Sequence, residues 1–268
     1  MGVTGFSAMV RGGGERTVAL FVTCVVDVLE PEVGEAVVRV LRAGGCEVSC
    51  PEGQTCCGQP AWNSGFAEEA ANVARTTLAA LEASGASVIV CPAGSCTTMV
   101  RVFWPELFEV VGDHDAAARA RTIGARTREF SEFASGLDLP PMELREPVAV
   151  ACHQSCHMLR ELHLGGVTDA LLARVRGCEV LDWGDDGERC CGFGGLFSMK
   201  LPEASAAIAD DKLGSLPEGT ASIVGADTSC LLHLQGRAEQ RGNPVRTVHV
   251  AEMLARALDE AARPTVGR

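Results

Sequence analysis

The sequence predicts an α/β protein of two pseudo-symmetric domains, each a small, mainly parallel sheet flanked by helices. Three observations lead to this prediction. The cysteine pattern of the first half recurs in the second, short apolar runs alternate with helical patterns in both halves, and a cysteine-free stretch at 97–146 separates them. Such alternation of strands and helices is typical of parallel sheets with helices packed against them.

A Cys-Cys-Gly tripeptide occurs once in each half, and the neighbouring cysteines keep their distance from it. The next cysteine of the pattern lies 39 positions after the pair in both halves, and the preceding one lies 32 positions before the pair in the first half and 34 in the second. Matching offsets on both sides of the pair indicate an internal repeat. The matched sets are Cys24, Cys56, Cys57 and Cys96 in the first half, and Cys156, Cys190, Cys191 and Cys230 in the second.

The elements of the first half follow from its apolar periodicity. The β-rich apolar run 17–23 predicts a strand. Apolar residues at helical spacing over 31–43, with proline at the start and glycine after the end, predict a helix. A short strand at 47–49 then leads to the Cys-Cys-Gly turn, a second helix covers about 66–83, and 87–94 reads as another buried strand.

The second half repeats this order. It predicts a strand from residue 147, a helix at 167–177 and a strand at 179–183, followed by the second Cys-Cys-Gly turn. A helix near 203–213 and a strand at 221–226 complete it. Each cysteine of the pattern comes just after a strand or in the turn, and ligands of parallel sheets gather beyond the carboxyl ends of the strands.

The domain boundary falls in the middle of the chain. Residues 1–110 are expected to form the first Cys-Cys-Gly domain and residues 147–268 the second. Between them, 111–146 is expected to be a helical linker, because a helical pattern there is followed by a proline-containing stretch.

Charge and composition exclude several classes of function. The formal net charge is −12 and the pI is about 5.0, so duplex nucleic acid and anionic membrane surfaces would be repelled. The longest apolar run is interrupted by Asp27 and is too short to span a bilayer. Residues 1–17 lack the apolar core of a signal peptide, and Phe6 stands where myristoylation requires Ser or Thr. We therefore expect a cytoplasmic protein.

Thirteen cysteines in a reducing compartment indicate metal binding or redox chemistry rather than disulfides. Four thiolates per half suit a [4Fe–4S] cluster, and they also suit zinc, which is the main alternative. Neither half contains the paired Cys-x-x-Cys knuckles of structural zinc sites. Adjacent thiolates chelate one tetrahedral ion poorly but can bind two irons of one cluster, so iron–sulfur is favoured while zinc and thiol–disulfide chemistry stay open.

The other cysteines have weaker claims. Cys46 and Cys178 match each other in the repeat, but each enters a predicted strand, which favours core packing. Cys50, Cys91 and Cys152 have no counterpart in the other half and are expected to be core or incidental. Of these, Cys152 is the best substitute ligand, because it lies one helical turn from a cysteine of the pattern.

Histidines and glycines near the cysteines are secondary candidates. His153 and His157 flank Cys156 and are candidates for hydrogen bonds to cluster sulfur or for proton transfer, with a capping or surface role equally open. His233 is a weaker candidate to replace a thiolate ligand. The glycines after the cysteine pairs are expected to allow tight backbone with amides directed at sulfur; they are Gly58, Gly192, Gly194 and Gly195.

Five stretches carry a specific resemblance. They are QTCCGQPAWNSG, CPAGSCTTM, CHQSCHMLRE, CCGFGGLFSMKLPEAS and ADTSCLLHLQGR. Together they resemble the cysteine-rich Cys-Cys-Gly-domain iron–sulfur family, which includes the cysteine-rich subunit of heterodisulfide reductase and the iron–sulfur subunit of glycolate oxidase. The sequence is most similar to the lactate-utilisation branch.

The resemblance implies two [4Fe–4S] clusters in two similar α/β domains, and a part in oxidising L-lactate to pyruvate together with partner subunits. The eight matched cysteines would be the ligands. Met99 and His233 stand where the heterodisulfide reductase subunit has additional cysteines, which argues against five-cysteine clusters and disulfide cleavage. The chain shows no ferredoxin module, so electrons are expected to pass through a ferredoxin-domain-containing partner subunit.

Two alternatives remain open on the sequence. The same kind of subunit could serve glycolate, glycerol 3-phosphate or a disulfide. A zinc-binding scaffold without a redox role is the alternative from another class. No flavin or nicotinamide site is recognised, because the GFGG stretch lacks the strand–glycine loop–helix context of a nucleotide site.

Overall fold

In the computed structural model of this protein, residues 16–263 are described. The first fifteen residues, for which no signal peptide is expected, lie outside the described residues, as do 264–268. Two four-stranded sheets make up the centre of the molecule, one from each half of the chain. Within 16–263, no helix combines the length and the apolar character needed to cross a membrane.

The first half supplies four strands and eight α-helices within the described range. In chain order these are β1 (Arg16–Leu20), α1 (Cys24–Leu29), α2 (Pro31–Ala43), β2 (Cys46–Ser49), α3 (Gln59–Trp62), α4 (Ala67–Ala83), β3 (Val88–Cys91), α5 (Gly94–Thr98), a π-helical turn (Met99–Phe103), α6 (Trp104–Val110), α7 (His114–Arg126), β4 (Thr127–Glu129) and α8 (Phe130–Ser135).

The second half follows a similar plan. Its elements are β5 (Met142–His153), α9 (Cys156–Arg160), α10 (Val167–Leu172), β6 (Val175–Leu181), a 3₁₀ turn (Gly184–Glu188), α11 (Leu196–Lys200), α12 (Pro202–Gly214), β7 (Ser222–Gly225), α13 (Thr228–Gln240), β8 (Arg246–His249) and α14 (Val250–Ala262).

Both sheets are parallel throughout and have the same strand order. The order is β2-β1-β3-β4 in the first sheet and β6-β5-β7-β8 in the second. Val18 of β1 pairs with Val48 on one side and with Val88 on the other. The predicted fold class, two similar α/β domains with helix-flanked parallel sheets, is confirmed. In such a sheet the strand order reverses between β1 and β3, and between β5 and β7 in the second sheet. Ligands bind beyond the carboxyl ends of the strands at this point.

One predicted helix is shorter than expected. The helix predicted at 167–177 ends at Leu172, and Val175 already begins β6. Val175 pairs with Met142 at the start of β5, and Gly177 has φ +83°, which a continuing helix does not allow. Sheet pairing therefore overrides the helical pattern of the sequence.

The stretch expected to be a helical linker contains more than helices. α7 and α8 lie in it, but β4 between them is the fourth strand of the first sheet, where Ile89 pairs with Thr127. The segment β4–α8 has the same design as β8–α14, because each helix begins with a capping box, formed by Glu129 in one half and His249 in the other. The first sheet thus reaches residue 129, and β5 begins at Met142.

A single apolar cluster is shared by both halves. It contains Val18 and Leu20 of the first sheet together with Val150 and Val224 of the second, all of them buried. α14 packs against both α2 and β5 and so joins the two sheets. Because burying one such side chain stabilises the fold by about 1.5–3 kcal/mol, this shared core holds the two halves in a fixed arrangement.

A buried histidine adds a polar link between the halves. His249 Nδ1 accepts a hydrogen bond from the Ala251 amide at 3.1 Å, so its Nε2 carries the proton and donates to the Pro92 carbonyl of the first half at 3.2 Å. Burial lowers the pKa of His249 to about 4. The imidazole is therefore neutral at neutral pH.

This histidine should make the stability depend on pH. The unfolded chain takes up the proton near pH 6.5 but the folded protein only near pH 4, so the free energy of unfolding falls as the pH drops through this window. Between pH 6.5 and pH 4, the free energy of unfolding of the wild type should fall by about 3 kcal/mol more than that of a His249→Asn variant, which keeps a capping side chain. Urea denaturation across the window measures it. Equal pH dependence in both proteins would contradict this role, and other buried groups, such as Glu129, cancel in the difference.

Candidate functional site

The cysteines of the repeat lie at the carboxyl ends of the strands in both sheets. In the first half, Cys24 begins α1 just after β1, the Cys56–Cys57 pair lies in the loop between β2 and α3, and Cys96 lies in α5 just after β3. Parallel strands bring these loops to one edge of the sheet. The second half places its cysteines equivalently, on α9, in the loop after the 3₁₀ turn and on α13; they are Cys156, Cys190, Cys191 and Cys230.

The structure brings each predicted set of four thiols together. The sulfur atoms of Cys24 and Cys56 are 3.5 Å apart, and those of Cys57 and Cys96 are 3.4 Å apart. The same chain of thiol contacts occurs in the second half, from Cys156 to Cys190, on to Cys191 and from there to Cys230. We call these sets the first and the second quartet. All thirteen cysteines lie within the described residues, and all are free.

The Cys-Cys-Gly turns require their glycines. Gly58 has φ +87°, and a Cβ there would lie 2.8 Å from the carbonyl oxygen of Ala70 in α4. Gly192 has φ +91°, and its Cβ would lie 2.6 Å from the carbonyl oxygen of Ser205 in α12. Only glycine allows this conformation and this close approach of backbone to a helix. The expectation of tight backbone is confirmed at both positions.

The turns also direct amides at the thiols. The Gly58 amide donates to the sulfur of Cys56 at 3.5 Å, and the Gly192 amide donates to the sulfur of Cys190 at 3.3 Å. Amide donors of this kind stabilise a thiolate or any other sulfur that carries negative charge. The loops therefore favour ionised sulfur at the same position in both halves.

The thiols within a quartet share protons unequally. Hydrogen bonding from the Cys24 thiol lowers the pKa of Cys56 to about 3 and raises the pKa of Cys24 itself. In the second quartet, hydrogen bonding from Cys156 lowers the pKa of Cys190 to about 2. Further ionisation places like charges side by side, which a bound cation would relieve. The chemistry of the donor set thus fits a metal ion or an iron–sulfur cluster.

Both quartets open into one cavity between the halves. The eight cysteines line it together with residues from both halves. These residues are Val25, Gln59, Pro60, Asn63, Ser95, Ser155, His157, Phe193, Gly194, Gly195, Asp227 and Ser229. The halves touch at its wall, where the Ser95 amide donates to the Asp227 carboxylate at 2.9 Å. The Gln59 amide nitrogen lies 3.4 Å from Nε2 of His157 on the opposite side.

His153 lies beneath the second quartet. One ring nitrogen of His153 and the sulfur atoms of Cys191 and Cys230 all lie within 4.8 Å of one another. The side chain is only 2% exposed, and neither ring nitrogen has a hydrogen-bond partner among residues 16–263. Burial lowers the pKa of His153 to about 3, so the ring is neutral at neutral pH.

A buried lysine that was not predicted from the sequence supports the second loop. Nζ of Lys212 in α12 donates to the carbonyl oxygens of Asp186, Gly187 and Arg189 at 2.6, 3.1 and 3.0 Å. It also lies 4.3 Å from the ring centroid of Trp183, a cation–π distance. Ser205, Ala209 and Lys212 share the buried face of α12, so a lysine on the apolar face of a predicted helix was the available signal.

The unmatched cysteines lie in different surroundings. Cys46 and Cys152 belong to the shared core, Cys178 packs against that core, and Cys50 is exposed. Cys91, expected to be core or incidental, is fully buried, and its thiol contacts that of Cys96 in the first quartet.

The two remaining histidine candidates, His157 and His233, lie in different places. His157 lines the cavity. His233 instead lies 3.2 Å from the Ser205 hydroxyl, with its ring centroid 5.9 Å from that of Phe193, and it does not line the cavity described above. The structure therefore brings His157, but not His233, to the space that the quartets share.

Comparison with known proteins agrees with the repeat. The model of the cysteine-rich domain family matches residues 18–101 and again 150–235. Proteins named lactate utilization protein A are similar over nearly their whole length. One from an Exiguobacterium species is 40% identical over 91% of this chain and 99% of its own, and one from Geobacillus kaustophilus is 40% identical over 88% and 98%.

A third such protein, from Bacillus cereus, is 41% identical over 88% of this chain and 98% of its own. The two matches to the family model coincide with the two sheets and their quartets. The chain therefore belongs to the cysteine-rich Cys-Cys-Gly domain family, in the group of proteins named lactate utilization protein A.

Proposed function

We propose that this protein is an iron–sulfur electron-transfer subunit of a system that oxidises L-lactate. The observation that carries the proposal is the convergence of two quartets of free thiols on one cavity. The names of its relatives supply the connection to lactate. Two [4Fe–4S] clusters, one in each half, are the cofactors that this donor set favours.

Each quartet supplies four ligands, one set being Cys24, Cys56, Cys57 and Cys96 and the other Cys156, Cys190, Cys191 and Cys230. A bound cluster would supply one-electron transfer at each site. The chain itself positions the thiols, directs the Gly58 and Gly192 amides at sulfur, and buries Cys57 and Cys191 to 2% exposure. Burial keeps water from part of each site and strengthens the electrostatic influence of nearby groups.

The cavity supports a relay rather than a site of lactate oxidation. Among the described lining residues there is a carboxylate, Asp227, and neither lysine nor arginine. A lactate carboxylate would meet no fixed positive side chain there, and such anions are usually held by arginine or lysine. We therefore place the oxidation of lactate on a partner subunit and the onward transfer of electrons on this chain.

Exposed apolar side chains next to the quartets suit contact with such a partner. Val28 and Leu29 at the end of α1 are 73% and 60% exposed, and Met199 and Leu201 at the end of α11 are 77% and 54% exposed. α1 begins with the ligand candidate Cys24. A ferredoxin-domain-containing subunit of the same system is the partner that we propose for this side of the molecule.

Zinc binding is the second candidate, and one distance favours it. Sulfur atoms 3.4–3.5 Å apart are slightly closer than those around a single tetrahedral zinc ion, where a Zn–S distance of ~2.3 Å gives roughly 3.8 Å between sulfurs. A structural zinc ion in each half would leave the protein without a redox role. A metal count separates the two candidates.

Iron and acid-labile sulfide should each be present at about eight atoms per chain after purification without oxygen. Cys57→Ser and Cys191→Ser should each reduce both counts to about four, because each change removes one buried ligand from one quartet. Cys50→Ser is the matched control: its thiol is exposed and outside both quartets, so the counts should not change. Stoichiometric zinc with little iron would contradict the proposed function.

Lactate alone should not reduce the isolated protein. With its clusters loaded, the visible absorbance should stay unchanged on adding L-lactate, since the cavity holds no cation for the carboxylate among its described lining residues. Dithionite, a direct reductant, is the control that must bleach the same sample. Bleaching by lactate without any partner would show that the chain oxidises the substrate itself, and the relay would be wrong.

A further inference from the structure

The two quartets differ at buried positions directly beside their sulfur atoms. His153 stands three positions before the first cysteine of the second quartet, where the first half has Phe21. Gly225 stands five positions before the last cysteine of the second quartet, where the first half has Cys91. The repeat therefore pairs an aromatic ring and a thiol in one half with an imidazole and a glycine in the other.

These positions are neighbours at the ends of adjacent strands. His153 is the last residue of β5 and pairs with Gly225 of β7. A Cβ at Gly225 would lie 3.2 Å from Cδ2 of Leu231, 3.3 Å from the His153 carbonyl oxygen and 3.7 Å from Cβ of His153, so the glycine permits close packing at this place. In the first half the Phe21 amide donates to the Val90 carbonyl at 2.9 Å, which gives Phe21 the equivalent place beside β3.

The ring nitrogens of His153 are available for a hydrogen bond. Both ring nitrogens are buried and unpartnered within the described part of the chain. Leaving a buried polar group without a partner is unfavourable. Two kinds of acceptor lie near the ring: the sulfur atoms of Cys191 and Cys230, which lie within 4.8 Å of a ring nitrogen, and the carbonyl oxygen of Gly187. Because the Gly187 carbonyl already accepts from the Gln154 amide and from Lys212, we assign the sulfur atoms to the imidazole. Phe21 offers no such donor to the first quartet.

A second difference between the halves also favours negative charge at the second quartet. Beneath the first loop, the hydroxyl of Thr77 accepts from the Thr55 amide at 3.0 Å and donates to the Cys56 carbonyl at 3.2 Å. The equivalent place beneath the second loop is taken by Lys212, which is fully buried. Its ammonium group acts electrostatically on all three nearby thiols, those of Cys190, Cys191 and Cys230. A neutral hydroxyl is thus replaced by a positive charge.

From these two differences we infer that the cluster held by the second quartet has the higher reduction potential of the two. The inference rests on the proposed function. Reduction adds one negative charge to a cluster, and both an N–H donor from His153 and the charge of Lys212 stabilise that charge. With clusters bound at both quartets, this difference would favour the transfer of one electron from the first site, which is oxidised, to the second, which is reduced, with no bond or proton changing place.

The nearby carboxylate does not reverse this difference. Asp227 lies between the halves and acts on Cys96 of the first quartet as well as on Cys156 and Cys230 of the second. Its negative charge therefore lowers the potential on both sides, and because it acts on two thiols of the second quartet and one of the first, it reduces the difference. His153 and Lys212 are the groups that raise the second potential, whereas the Cys91 thiol beside the first quartet donates to the Ala93 carbonyl at 3.7 Å.

The test is a redox titration of the full chain with both clusters, monitored by electron paramagnetic resonance. Cys57→Ser and Cys191→Ser, each retaining one cluster, assign the two potentials to the halves. His153→Phe copies the first half, and Lys212→Gln keeps a donor but removes the charge. Arg176→Gln is the matched control, because it removes a cation that is 76% exposed.

The second potential should be the higher one in the wild type. His153→Phe and Lys212→Gln should each shift electron sharing between the clusters about tenfold toward the first, ~59 mV for one electron. His153→Asn, which keeps an N–H donor, should retain most of the wild-type value, and Arg176→Gln should retain all of it. A nitrogen coupling in pulsed spectra of protein labelled with ¹⁵N-histidine should disappear in His153→Phe.

Failure of the proposed function and failure of this inference give different experimental results. Wild-type protein without iron would end the proposed function itself. Full iron and sulfide with equal potentials, or with a second potential unmoved in both variants, would overturn the inference and leave the function standing. Loss of about four irons in His153→Phe would identify His153 as a ligand and overturn its assignment as a donor. If Lys212→Gln fails to fold, the potentials of His153→Phe still test the inference.

Discussion

The structure depends on the apolar core that the two sheets share. Parallel strands place all the cysteine-bearing loops of one half at one edge of its sheet, but this alone leaves two separate sites. The shared core, in which α14 packs on both α2 and β5, turns the two edges toward each other. His249 reinforces the arrangement with its hydrogen bond to Pro92. One cavity with two quartets is the consequence.

Within that cavity, thiol crowding sets the chemistry. Sulfur atoms lie 3.4–3.5 Å apart, and amides of the Cys-Cys-Gly turns donate to them. Such a set favours negative charge on some sulfurs and cannot carry it on all of them without a cation. A bound cluster resolves this conflict and adds one-electron chemistry. Lactate itself finds no cationic partner among the described lining residues, which is why we assign its oxidation elsewhere.

Much of the fold and of the candidate site could be predicted from the sequence, because the internal repeat is visible in the cysteine spacing and the apolar periodicity. Both quartets, the fold class and most of the strands follow from these local patterns. The three-residue strand β4 was too short to show a period, although Thr127–Glu129 repeats the design of β8. The common cavity depends on long-range packing, and Lys212 is buried by tertiary contacts that its local sequence does not encode.

Electron paramagnetic resonance of the fully reduced protein would show whether the two quartets hold clusters that face one cavity. Two reduced clusters across one cavity should interact magnetically. We expect a spectrum that differs from the sum of the Cys57→Ser and Cys191→Ser spectra through splitting or broadening. A spectrum equal to that sum would show two isolated centres and would contradict a shared cavity with two clusters.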